Sequence, residues 1–98
     1  MNLGETIKEL RKRKGFNQSE FAAKCNISPT SLSLIESGKK RPHTKTLDAI
    51  CSALEIPEPF LYFLSTTESD IPEEKREAYK ILGPTIKSMM SQLFDLPS

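Results

Sequence analysis

The chain has 98 residues, a net charge of +1 and 28% charged residues, enough for one small domain and an appendage. No apolar run approaches the roughly 20 residues that a bilayer span needs, and the first residues lack the apolar stretch of a signal peptide, so a cytoplasmic protein is expected. One histidine, and two cysteines at no ligand spacing, give a zinc site no support, and Cys25 and Cys51 read as small buried hydrophobes rather than as a disulfide.

The first helix is expected from about residue 3 to residue 14. Leu3, Ile7 and Leu10 share a face, Asn2 with Glu5 reads as a variant capping box, and Gly15 is a left-handed stop. Asn17 with Glu20 repeats the start signal for a second helix, which buries Phe21, Ala22 and Cys25. Asn26 suits a turn that needs positive φ. Ser28 then caps a third helix with Pro29 at its first position, where a missing N–H costs nothing. Leu32 and Ile35 point inward. At about 100° per residue, Thr30, Ser33, Leu34 and Ser37 point outward. Gly38 ends this helix. A turn of about four residues between two helices holds them at a steep angle, and the second can enter a DNA groove.

Thr44 reads as the cap of a fourth helix, with Leu47, Ile50, Cys51 and Leu54 inside. Pro57 and Pro59 open a short fifth helix, in which Phe60, Leu61, Phe63 and Leu64 are expected to close the core. Residues 65–70 are polar and read as a linker. From Pro72 the chain turns helical again, and Tyr79, Leu82, Ile86, Met89, Leu93 and Leu96 recur at steps of three and four, a seam for another helix. Ile81, Met90 and Phe94 widen it. Gly83-Pro84 is expected to kink or split the helix. The seam either forms a homodimer or folds back on the first domain, and both hold if Gly83-Pro84 divides two halves. The expected fold class is all-α, with a DNA-binding domain over residues 1–65 and a linker and dimerising helix over residues 66–98.

Charge is unevenly spread. Residues 1–50 hold ten Lys/Arg and five Asp/Glu, a balance of +5, and residues 51–98 hold four and eight, a balance of −4. The cations cluster at residues 11–14 and 39–41, with Lys45 beyond. Clusters of that kind suit phosphates, whose neutralisation releases counterions.

Gly15, Asn17-Gln18, Phe21-Ala22, Ile27-Ser28, Leu32, Ile35-Glu36, Gly38-Lys39, Pro42, Thr46-Leu47, Ile50 and Ala53-Leu54 together resemble the phage-repressor and Cro-like (XRE-type) helix-turn-helix family over about residues 2–56. The resemblance implies a five-helix lambda-repressor-like domain that binds a two-fold operator as a dimer. It places Pro29, Thr30, Ser31, Ser33 and Leu34 at base edges, although Pro29 can offer only apolar contact. It places Asn17, Gln18, Ser37, Lys39, Lys40 and Arg41 at phosphates, and makes Arg11 and Glu36 a structural ion pair. Ser and Thr are weak readers, so DNA shape is expected to carry part of the specificity.

The expected function is a dimeric transcriptional regulator, a repressor by occupancy of its operator. The alternative is an antitoxin-like module whose C-terminal helices bind a heterologous protein. An enzyme is not expected, because His43 stands alone and no triad is visible. No cofactor or metal is called for.

Overall fold

Three short polar signals set the punctuation of the second and third helices. At Asn17 the backbone is extended (ψ 171°), its side chain accepts from the Glu20 N–H, and the Glu20 carboxylate accepts from the Asn17 N–H. At Ser28 the backbone is again extended, and Oγ accepts from the Ser31 N–H. Asn26, at φ 57°, turns the chain between them. The computed structural model describes residues 1–93 and contains α1 (Leu3–Arg13), α2 (Gln18–Lys24), α3 (Pro29–Glu36), α4 (Thr44–Leu54), α5 (Glu58–Ser65) and α6 (Arg76–Leu93). Single turns of 3₁₀-helix, Glu68–Asp70 and Glu73–Lys75, lie between α5 and α6. The fold is all-α and lambda-repressor-like.

Ile7, Phe21, Leu32, Ile50, Leu54 and Leu61, one or two from each of the first five helices, are fully buried and form the centre of one core. Of the α5 residues Leu61 is fully buried, and the half-buried Tyr62 and Leu64 pack against the core beside it, whereas Phe60 and Phe63 are half-buried outside that cluster.

Several expectations need correction. Asn2 makes no capping bond with its side chain, and its ψ of 59° is far from the extended value found at Asn17 and Ser28. Its backbone N–H is instead drawn to the carbonyl of Ser65, 3.0 Å away, which ties the start of α1 to the end of α5. Ser65 therefore belongs to α5 rather than to a linker. It is buried, with Oγ donating to the Leu61 carbonyl. The cap of α4 is His43, extended after Pro42, and its carbonyl accepts from Leu47 N–H; Thr44 is the first helical residue. Glu55 closes α4 in the left-handed region, a position where no glycine signalled it.

Gly83-Pro84 does not split the last helix, which is one unbroken span. Pro84 removes one N–H, but both Pro84 and Lys80, the residue four before it, are exposed, so water can take the orphaned carbonyl. The helix docks by one face. Tyr79 Oη and Lys87 Nζ both donate to the carbonyl of Thr66, at 2.8 and 3.1 Å, and Gly83 is buried with the Tyr79 ring lying across it.

Candidate nucleic-acid interface

α3 has two very different sides. Leu32, Ile35 and Glu36 are buried, whereas Pro29, Thr30, Ser33, Leu34 and Ser37 are exposed and Ser31 sits at the margin. Every described side chain on the outer side is uncharged. That side is free to approach a partner because the four residues 25–28 fold into a tight turn, with Ile27 N–H returned to the Ala22 carbonyl.

The sole carboxylate of α3 is turned inward and paired. Glu36 Oε2 accepts from Arg11 Nε at 2.7 Å, and Oε1 accepts from Arg11 Nη2 and from Gln18 Nε2, both at 3.1 Å. Arg11 Nη1 donates to the Phe16 carbonyl at 2.8 Å. The two charged side chains are 6% and 2% exposed. Guanidinium and carboxylate thus meet side by side, and this bidentate geometry ties α1 and the start of α2 to the end of α3. It also removes a negative charge from the surface that faces outward. Gln18 spends one amide hydrogen on Glu36 and keeps a second for another acceptor. Asn17 spends its carbonyl oxygen on the capping box and keeps its amide donors.

The loop after α3 is built on one carbonyl. Gly38, at φ 80°, reverses the chain. The Leu34 carbonyl then accepts from Ser37 Oγ and from the N–H groups of Lys39 and Lys40, at 3.0–3.1 Å. Lys39, Lys40 and Arg41 are exposed beside α3. Lys40 does not simply extend into solvent, for its Nζ lies 3.4 Å from Ser31 Oγ. No sequence signal short of the reversal at Gly38 points to that contact.

The residues assigned to dimerisation fall into two groups. Tyr79 faces Thr66 with Gly83 and Lys87 and serves the monomer. Leu82, Ile86, Met89 and Leu93 form a neighbouring stripe, its centre turned by about 90° from that of the first group on a helix of 100° per residue. They are 55, 37, 62 and 73% exposed. With Phe60, the last three line a largely apolar groove of about 520 Å³. Core-covering and free surfaces therefore divide around the axis of α6, not along its length at Gly83-Pro84. Leu96 and Phe94 lie outside the described residues. Among the described residues no group of three His, Cys, Asp or Glu comes together to hold a metal, and no helix is long and apolar enough to cross a membrane.

The chain is similar to known proteins in this same region. A helix-turn-helix family model matches residues 7–61, which run from α1 into α5. The ImmF control region 10 kDa protein of Bacillus phage phi105 is 40% identical over 72 residues, 74% of this chain and 77% of that protein. The immunity repressor protein of the same phage is 38% identical over 56 residues, 57% of this chain but only 39% of the repressor. The HTH-type transcriptional regulator ImmR of Bacillus subtilis (strain 168) is 30% identical over 95 residues, 97% of this chain and 70% of the regulator.

Proposed function

From the premise that the chain belongs to the XRE-type helix-turn-helix family, we infer that it is a DNA-binding transcriptional regulator that represses as a homodimer on a two-fold operator. The observation that carries this most is the electrostatics of α3. Its outer side is uncharged, its carboxylate is buried against Arg11, and three cations stand on the adjoining loop. Such a helix can enter the major groove while the loop neutralises the backbone on either side.

In this proposal residues 1–65 are the DNA-binding domain. Thr30, Ser33 and Leu34 meet base edges, Pro29 makes apolar contact, and Ser31 stands at the edge of the same surface. Asn17, Gln18, Lys39 and Arg41 meet phosphates with the donors left free by the internal bonds, and Ser37 joins them only by releasing its hydroxyl from the Leu34 carbonyl. Repression is supported by the likeness to a phage protein named as an immunity repressor.

Dimerisation is assigned to α6, through Leu82, Ile86, Met89 and Leu93. Their 4-3-4 spacing is that of a helix-pairing seam, and four large apolar side chains in one stripe are more than a monomer usually leaves to water. A dimer also compensates for weak Ser and Thr readers. Two half-sites centred about 34 Å apart make the second contact effectively intramolecular.

The test pairs salt titration with stoichiometry. Replacing Arg41 with Ala should weaken all DNA sequences alike and lower the slope of log affinity against log salt by about 0.9. The Leu82→Glu, Met89→Glu double variant should sediment as a folded monomer and lose operator affinity. An unchanged salt slope would remove Arg41 from the phosphate contacts. A double variant that still sediments as a dimer would remove α6 from the interface.

A further inference from the structure

α3 is an unusual candidate for sequence reading, because none of its outward side chains is a strong hydrogen-bonding reader. Pro29, Thr30, Ser33 and Leu34 offer methyl groups, a ring and hydroxyls. Hydroxyls can contact several base edges and discriminate poorly among them. A cation is nevertheless present on this surface, supplied from the loop.

Its placement follows from the backbone. After Gly38 reverses the chain, the Lys40 N–H donates to the Leu34 carbonyl, so the Lys40 main chain is seated on the last turn of α3. From there the side chain runs back toward the start of the helix, and its ammonium ends 3.4 Å from Ser31 Oγ. Ser31 is itself fixed, since its N–H donates to the capping Ser28 Oγ. Lys39 and Arg41, on either side, show no such bond from their charged ends to α3.

We propose that Lys40 is a base-reading residue, positioned by Ser31, whose ammonium donates to the O6 and N7 edge of a guanine in the major groove. This rests on the DNA-binding role inferred above. The donor count fits. An ammonium has three N–H groups, and with one on Ser31 two remain for the two acceptors that guanine presents. Adenine replaces one acceptor with an amino donor, which would face the ammonium unfavourably. The role differs from the phosphate grip that its neighbours in the basic loop supply. A phosphate contact strengthens all sequences equally, whereas this contact selects one base at a symmetric pair of positions.

The test is selection of bound duplexes from a random pool, run with the wild-type chain, Lys40→Ala and Ser31→Ala, each followed by affinity measurements on single-base variants of the wild-type site. The wild type should select guanine at one symmetric pair of positions. Lys40→Ala should lose about five- to a hundredfold of discrimination at that pair and keep the profile elsewhere. Ser31→Ala, which keeps the cation but removes its partner, should reduce discrimination at the same pair by less. Thermal melts of both variants should match the wild type, since both side chains lie at the surface. A Lys40→Ala chain that binds every sequence more weakly with an unchanged profile would overturn the proposal and leave the DNA-binding role intact. So would a Ser31→Ala effect at a different base pair. A wild-type chain that enriches no sequence would overturn both.

Discussion

Replacing Glu36 with Ala tests the device that joins the first three helices. The substitution removes acceptors for three donors, Arg11 Nε at 2.7 Å, Arg11 Nη2 at 3.1 Å and Gln18 Nε2 at 3.1 Å. It leaves a guanidinium 6% exposed, with one remaining bond to the Phe16 carbonyl. Removing one partner of a buried pair costs roughly 3–5 kcal/mol, chiefly because the other charge stays buried without compensation. A domain of this size is stable by only about 5–15 kcal/mol, so the loss is a large share of the whole. The assay is urea denaturation at neutral pH, with the slope checked to ensure that the surface exposed on unfolding is unchanged. The companion variant is Arg11→Met with Glu36→Leu. Replacing both charges by apolar groups removes the stranded ion, so the double variant should be more stable than Glu36→Ala and far from the sum of the two single losses. A Glu36→Ala cost below about 1 kcal/mol, the level of an exposed ion pair, would refute the assignment of a buried structural pair.

Two further outcomes follow from packing and burial. Gly4→Ala should destabilise the fold by about 1–3 kcal/mol, although alanine is ordinarily the better helix former by roughly 1 kcal/mol. The reason is that a Cβ at Gly4 would run into the Ile35 carbonyl oxygen and stand 2.9 Å from that of Glu36, both backbone atoms, so α1 must move off α3; a raised melting temperature would contradict this contact. Burial pushes the thiols of Cys25 and Cys51 up to about 11, which keeps them neutral and unreactive in the folded chain. A thiol titration at pH 8 should therefore detect both cysteines only after denaturant is added, and rapid labelling of the native protein would count against the core packing. The sign for stability follows. Their contribution is complete below the unfolded thiol value of about 8.5 and declines as pH rises toward 11.

The parts of the fold that were legible in the sequence are those governed by a few adjacent residues. Asn17 with Glu20, Ser28 with Pro29, and the positive-φ positions Gly15, Asn26 and Gly38 each solve a local problem with local chemistry. Asn2 with Glu5 looks the same in one dimension, but a tertiary bond to Ser65 claims its backbone and leaves no capping geometry. Pro84 misled for a related reason, since the loss of one bond at an exposed site does not end a long helix docked elsewhere. The periodicity of α6 was visible, yet a period does not say which angular sector meets the domain. Tyr79 and Leu82 belong to one seam by spacing and to different surfaces by contact. In the same way, the basic loop was legible as charge and Gly38 as a turn, whereas the path that brings the Lys40 ammonium back to Ser31 is displayed only by the folded chain.

The most direct measurement is the symmetry of the DNA that the wild-type chain selects from a random pool, with the number of chains bound to the enriched duplex counted by sedimentation. A homodimeric regulator should enrich an inverted repeat whose half-site centres lie about 10 base pairs apart, or a multiple of that, and should occupy it with two chains. An enriched site with a single asymmetric element bound by one chain, or no enriched sequence at all, would contradict the central claim.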